Sequence, residues 1–245
     1  MLKNIVNKLS FVSSSKDLLH FTDIHSHLIS DIDDGVKTLD ESVELILQLK
    51  ELGFKKIITT PHIMLHRFPN TRKIISTNYL ELLDKLKERN IDIELKVAAE
   101  YYYDEHFLEL IEKKELMTFG DNYILFELSY RTKPFGLEYT VSKLLKAGYK
   151  PILAHPERYT YYKTKADYLK LKEMGVFFQI NAISTKNFYG KNVKKAVENI
   201  IDLGIVDFVG SDIHAQNYFD TFSKVLKSKT YINIFKKNNI KNDYL

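Results

Sequence analysis

The stretch Asp23-Ile24-His25-Ser26-His27 places two imidazoles at positions i and i+2. Side chains alternate faces along an extended strand, so both rings lie on one side and can offer nitrogens to one metal ion. One His-x-His is a weak signal by itself. Four further places add to it: Thr60-Pro61-His62, the pair Glu100 and Glu127, Ala154-His155-Pro156-Glu157-Arg158, and Ser211-Asp212-Ile213-His214. The chain has no cysteine, so a metal must be held by imidazole and carboxylate. Together these residues point to a multinuclear metal-dependent hydrolase. Glu100 suits a bridging role, because a carboxylate has two oxygens for two metals. Asp34 in the acidic loop can reach a metal, whereas Asp31 and Asp33 read as turn formers. His20 and His106 read as surface residues, and His66 sits in a loop that can overhang the site.

The elements that must position these groups are legible as an alternation. Seven stretches read as strands, at 21–25, 55–60, 93–99, 123–128, 151–155, 176–180 and 206–211. A capping box, Thr38-Leu39-Asp40-Glu41, opens the first intervening helix and Gly53 ends it. Further helices are expected at 77–89, 105–114, 138–147, 166–174 and 193–203, three of them followed by Gly148, Gly175 and Gly204. Strand and helix alternating on short connections predict a parallel sheet with right-handed crossovers, and seven units favour a closed or nearly closed barrel. In parallel barrels the active site lies where the C-terminal strand ends meet. His25 and His27 close strand one, His62 strand two, Glu100 strand three and Glu127 strand four. His155 closes strand five, Asn181 strand six, and Asp212 with His214 strand seven. Every strand end thus carries a group able to bind a metal or hydrogen-bond a ligand. From Lys224 onward the chain reads either as a last helix, packed by Val225, Leu226, Ile232, Ile234 and Phe235, or as a partly frayed end.

A length of 245 residues suits one α/β barrel, and no linker or composition break divides it. Residues 1–20 read as an N-terminal arm without the apolar core or cleavage site of a signal peptide. No apolar run approaches a membrane span. The formal charge of +4, spread over 36 basic and 32 acidic side chains, argues against nucleic-acid binding. The absence of cysteine is compatible with a reducing cytoplasm, the expected location.

At these residues the sequence resembles the polymerase-and-histidinol-phosphatase (PHP) superfamily, and within it the bacterial capsule- and exopolysaccharide-type protein tyrosine phosphatases. The resemblance is carried by DIHSHLISDIDDG from Asp23, TTPH from Thr59, Ala99-Glu100, Phe126-Glu127, LAHPER from Leu153 and SDIH from Ser211. It implies a distorted (β/α)7 TIM-like barrel of the PHP type, a single phosphatase domain over 21–245, and three divalent ions drawn from Mn, Fe or Zn. His25, His27, Glu100 and Asp212 would hold the first ion. His62, Glu100, Glu127 and His155 would hold the second, with Glu100 bridging, and Asp34 and His214 would help to hold the third. Arg158 matches the family's phosphate-binding arginine, so Arg158, His214 and Asp34 are the expected catalytic residues.

The implied activity is hydrolysis of phosphotyrosine by a metal-activated hydroxide, in regulation of capsule or exopolysaccharide synthesis. The implied partner is a phosphotyrosine protein, plausibly a membrane tyrosine autokinase. A small-molecule phosphatase of the histidinol-phosphatase kind is the enzymatic alternative. A nuclease module and a non-catalytic metal-binding barrel are the others. One departure stands out. Relatives from Gram-positive bacteria usually carry a second arginine after the last Asp-x-His, and here the stretch is Ala215-Gln216-Asn217-Tyr218-Phe219. Arg67, Arg72 and Arg131 are the candidates to replace it. Ile29-Ser30 stands where relatives often have Leu-Pro. The aromatic runs Tyr101-Tyr102-Tyr103 and Tyr159 to Tyr162 would either stack on a phosphotyrosyl ring or cover the barrel rim.

Overall fold

In this computed structural model, which describes residues 21–245, strands and helices alternate along the chain. The expected arm at 1–20, with His20, lies outside the described residues. The strands are β1 (Thr22–Asp23), β2 (Lys56–Thr59), β3 (His62–Ile63), β4 (Glu94–Val97), β5 (Glu100–Tyr102), β6 (Tyr123–Glu127), β7 (Lys150–Ala154), β8 (Phe177–Asn181) and β9 (Phe208–Gly210). They pair in parallel in two runs, β1-β2-β4 and β3-β5-β6-β7-β8-β9.

Two of the seven expected strands, 55–60 and 93–99, are each followed after a short break by a second short strand beyond the expected bounds, β3 and β5. Pro61 has no N–H to give to a ladder, so pairing lapses between β2 and β3. The partner strand breaks at Ala98-Ala99, between β4 and β5. The two rods stay adjacent across the gap, with Ala98 N donating to Thr59 O at 3.0 Å and Glu100 N to Pro61 O at 3.1 Å. Joined across these breaks, the strands form seven rods. The ring closes where Ser26 pairs in parallel with Ile213. There Asp212 N donates to His25 O at 2.8 Å and His27 N to Ile213 O at 2.9 Å. The result is the closed barrel that the alternation favoured, in the distorted (β/α)7 form that the resemblance implied.

The helices are α1 (Leu39–Glu51), α2 (Arg72–Glu88), α3 (Glu105–Lys113), α4 (Leu137–Lys146), α5 (Lys165–Glu173), α6 (Lys191–Asp202), α7 (Gln216–Val225) and α8 (Lys229–Lys237). The capping box of α1 forms, with Glu41 N donating to Thr38 Oγ1 and Thr38 N to Glu41 Oε2. Helix α2 starts five residues before the expected 77, capped by Thr71 Oγ1 on Ile74 N. Its first turn holds no acidic residue, so the usual charge cue for a helix start is missing.

The chain end is not frayed. It folds as α7, which the sequence reading had not placed, followed by α8. Val225, Leu226 and Ile234 are buried as expected, but Ile232 is exposed on the outer side of α8. No helix among the described residues is long and apolar enough to cross a membrane.

Two apolar layers result. Ile24, Ile58, Ala98, Leu125, Ile152 and Phe208 fill the barrel interior, and a larger cluster lies between the sheet and the helices. The interior is thus packed solid, which leaves the C-terminal mouth as the place for a cavity.

Candidate metal centre and active site

At that mouth lies a cavity of about 810 Å³, lined by His62, Glu100, Glu127, His155, Arg158 and Asp212 among others. Of the nine strand-end residues singled out in the sequence, His62, Glu100, Glu127, His155, Asp212 and His214 line it with Asp34, and His25 and His27 lie buried against them. His25 Nε2 lies 3.2 Å from Glu100 Oε2 and 3.3 Å from Asp212 Oδ1. His27 Nε2 lies 3.4 Å and 3.5 Å from the same two oxygens. His62 Nδ1 approaches Glu100 Oε2 at 3.2 Å and Glu127 Oε1 at 3.4 Å. His155 Nε2 stands 3.0 Å from Glu100 Oε1 and 3.9 Å from Glu127 Oε2. Asp34 Oδ1 is 3.4 Å from both His62 Nε2 and His214 Nε2. Three groups of ligand atoms emerge: His25, His27 and Glu100; His62, Glu100 and Glu127; and His27, Asp34, His62 and His214. Glu100 is shared by the first two, and His62 presents opposite ring nitrogens to the last two.

The chemistry of these donors fits cations. Gln179 Oε1 lies 2.8 Å from His25 Nδ1 and can only accept, so the ring N–H is on Nδ1. Asp33 Oδ2 takes the same position, 2.8 Å from His27 Nδ1. Each ring therefore turns its Nε2 inward, and the two Nε2 atoms are 3.3 Å apart beside two carboxylates. Lone pairs and negative oxygens converging on one point repel unless a cation or protons sit among them.

The titration behaviour follows from that crowding. Burial pushes His62 down, yet Glu100 and Glu127 hold it up at about 9. Burial likewise opposes protonation of His25, but Glu100 and Asp212 keep it above its ordinary value. Burial pushes Glu127 up, reinforced by the charge of Glu100 beside it. Burial pushes His155 down to about 4, with the charge of Arg158 adding to it and Glu100 and Asp212 opposing. His62 Nδ1, Glu127 Oε2 and Asp34 Oδ1 are buried without a hydrogen-bond partner, as ligand atoms awaiting an ion would be.

The local backbone turns these side chains inward. His155 (φ 33°) and Asp212 (φ 53°) both occupy the left-handed region, which costs a non-glycine residue roughly 1–3 kcal/mol. Each sits where a strand ends and the chain swings over the mouth. Asp212 divides its carboxylate: Oδ1 faces His25 and His27, while Oδ2 accepts from Asn181 Nδ2 at 2.5 Å, Tyr189 OH at 3.1 Å and Arg158 Nη1 at 3.2 Å. The Arg158 guanidinium lies between two aromatic faces, 4.4 Å from the Tyr130 ring and 4.2 Å from the Tyr189 ring.

Several groups were not legible beforehand. Asp33 is more than a turn former. Besides accepting from Gly35 N, it orients His27 and accepts from His62 N at 3.0 Å. Gln179 orients His25 and passes its amide on to Asn181 Oδ1 at 2.9 Å. A Gln two residues before Asn181 on an otherwise apolar buried strand was the available signal. Of the arginine candidates, Arg72 points away, donating to Glu115 O and Leu116 O, while Arg67 and Arg131 line the cavity. His66 lines the cavity too, exposed and 3.0 Å from Glu105; His106 lies outside it, beside Glu109. Tyr101, Tyr159 and Tyr162 are buried in the walls, and of the two aromatic runs Tyr102 reaches the cavity.

Known proteins resemble this chain in sequence and fold. The tyrosine-protein phosphatase CpsB of Streptococcus pneumoniae is 34% identical over 199 residues, spanning 78% of this chain and 82% of the relative. The tyrosine-protein phosphatase YwqE of Bacillus subtilis is 27% identical over 194 residues, spanning 78% and 76%. A crystal structure described for these two metal-dependent tyrosine phosphatases superposes with a TM-score of 0.75 at 25% identity, covering 85% of this chain and 87% of the other. The phosphotriesterase homology protein of Escherichia coli, at a TM-score of 0.51 and 12% identity over 88% and 91% of the two chains, shares the fold alone. The sequence model for capsular polysaccharide synthesis proteins CpsB/CapC matches residues 21–237, and the chain belongs to that family.

Proposed function

We propose that this chain is a metal-dependent protein tyrosine phosphatase, its catalytic domain spanning 21–245. The observation that carries the reading is the convergence of the inward-turned Nε2 atoms of His25 and His27 on Glu100 and Asp212, with Arg158 held beside them. Three ions, of Mn, Fe or Zn, would be held by His25, His27, Glu100 and Asp212; by His62, Glu100, Glu127 and His155; and by Asp34 with His214. Divalent ions bound there supply a water of lowered pKa and positive charge beside the phosphoryl oxygens.

The protein's own groups do the rest. Arg158, held in place by Tyr130, Tyr189 and Asp212, presents its guanidinium to the non-bridging oxygens, where charge resides in the transition state. His214 donates Nδ1–H to Asp212 O at 2.9 Å, so its single remaining nitrogen, turned to Asp34, serves as a ligand atom. Proton assistance to the leaving group matters little, because a tyrosine phenol of pKa about 10 departs far more readily than an alkoxide.

The substrate reading is a phosphotyrosine protein, with a membrane tyrosine autokinase of polysaccharide export as the favoured partner and the cytoplasm as the location. The names of the CpsB relatives support the activity. An amino-alcohol phosphate would need an acidic anchor at the mouth. Asp104 lines the cavity, but its carboxylate accepts from Leu65 N and Phe107 N and is thereby engaged.

The test is phosphate release from a phosphotyrosine peptide and from histidinol phosphate by chelator-stripped protein refilled with each metal. Wild type would turn over the peptide with metal only, and His155→Ala and Arg158→Ala would each abolish it. Turnover of histidinol phosphate alone would move the assignment to a metabolite phosphatase. Full metal loading without release from either ester would leave a binding barrel.

A further inference from the structure

A cavity of about 810 Å³ lies in the upper part of the range that encloses drug-sized ligands, about 300–1,000 Å³, so one aryl phosphate leaves its outer part to other groups. Arg67 and Arg131 bring two guanidinium groups to the cavity lining. Its carboxylates are already engaged: Asp34, Glu100, Glu127 and Asp212 in the ligand cluster, and Asp104 in capping α3 and holding Leu65 N. Arg67 reaches Asp34 at 3.4 Å. Arg131 lines the cavity, and among the described residues no ion pair to it forms.

The loop that carries Arg131 is pinned along its length. Tyr161 OH donates to Ser129 O at 2.9 Å, Thr160 donates twice to Tyr130 O, and Thr132 N donates to Ser129 Oγ. Further along, Tyr103 OH donates to Phe135 O at 2.9 Å. Yet the Phe135 side chain on this anchored loop is 99% exposed. A loop so held, with an unpaired guanidinium at the cavity and a bare aromatic ring four residues further along the chain, has the make-up of a peptide-contacting edge.

Resting on the phosphatase reading above, we propose that Arg131 recognises a negatively charged residue flanking the phosphotyrosine of the substrate polypeptide, with Phe135 packing against the same segment. Charge complementarity selects the occupant: an acidic stretch of chain entering beside the phosphate ester.

Steady-state kinetics of the metal-loaded protein test this with three phosphotyrosine peptides flanked by Glu, Ala or Lys, and with phenyl phosphate, which has no flanks. Wild type should favour the Glu peptide over the Lys peptide about fivefold in kcat/KM, carried by KM, as expected of one partly exposed ion pair. High salt should shrink that preference by screening. Arg131→Gln should abolish it and Arg131→Glu should reverse it, each changing the ratio of Glu to Lys peptide more than the rate on phenyl phosphate. Equal use of the three peptides by wild type, or a preference that survives Arg131→Gln, would overturn the proposal. Hydrolysis of phenyl phosphate without any peptide would overturn it too and leave the metal-dependent chemistry standing. Should no ester be hydrolysed, the phosphatase reading fails on its own. Peptide binding by fluorescence anisotropy then still decides between Glu-selective and unselective contact.

Discussion

Asp33 and Gln179 each hold a histidine by its outer nitrogen, so that the inner nitrogen is aimed at the mouth. Partners of this kind set both the tautomer and the angle of a ligand ring, and their loss costs roughly 10- to 100-fold in metal affinity. Asp33→Asn should therefore lower affinity for the first ion within that range while leaving the fold intact. Competition of the stripped protein against a chelating dye measures it, and unchanged affinity would refute the role. His62 gives a second expectation at this scale, with a definite sign. Its imidazole is held at about 9 by Glu100 and Glu127 despite burial, against 6.5 for the unfolded chain. The metal-free protein thus gains stability from protonated His62 below 6.5 and loses it as pH rises through about 9. Metal binding must displace that proton, so apparent affinity should climb about tenfold per pH unit between 7 and 9 and then level off. A flat affinity over that window would contradict the account. The candidate ligand residues are legible in the sequence, because His-x-His, Asp-x-His and lone carboxylates at strand ends stand out against apolar strands. Their supports were hidden, because Asp33 looks like any loop aspartate and Tyr189 belongs to no motif.

At the level of elements, alternation of strand and helix was readable from apolar runs, caps and glycines, while the breaks in the strands were not. Pro61 interrupts one ladder through its missing N–H, but nothing in Ala98-Ala99 announces the matching break; it follows from the partner strand. Helix α7 escaped notice because it starts at Gln216 without a side-chain cap or an acidic first turn. The close approach of β9 to β8 is a feature of the same scale. A Cβ at Gly210 would lie 2.6 Å from Gln179 Nε2 and 2.7 Å from His25 Cβ. Only glycine lets the strand pass this close to the amide that orients His25. Gly210→Ala should displace Gln179, destabilise the protein by about 1–3 kcal/mol as other overpacked sites do, and weaken the first metal position. Thermal melts with and without metal would separate these effects. A variant that melts like wild type in both conditions would mean that β9 has room which the geometry denies.

The whole molecule depends on closing a ring of seven rods whose first and last members share a single backbone bridge, at Ser26 and Ile213 beside the metal centre. Away from the mouth, side chains complete the seam. Asp23 accepts from Ser211 N and Ser211 Oγ at 2.9 and 2.6 Å. Farther down, the fully buried Asn242 accepts from Val209 N at 3.0 Å and donates to Val209 O at 2.7 Å and Thr22 O at 2.8 Å, tying β9 to β1. One amide thereby does between these strands what a ladder does elsewhere in the barrel. Asn242→Ala removes three hydrogen bonds and leaves backbone groups of Val209 and Thr22 unpaired in the interior. Each net bond contributes about 0.5–1.5 kcal/mol and each buried orphan costs more, so a loss of about 3 kcal/mol is expected. For a chain of this size that corresponds to a fall in Tm of roughly 6–12 °C. The metal-binding residues lie at the opposite, C-terminal end of the strands, so metal affinity below the transition should stay as in wild type. A fall in metal affinity as large as that in stability would mean that the seam is strained as one unit from Thr22 to His27. An unchanged Tm would mean that the Ser26–Ile213 bridge and the Asp23–Ser211 pair suffice to hold the ring shut.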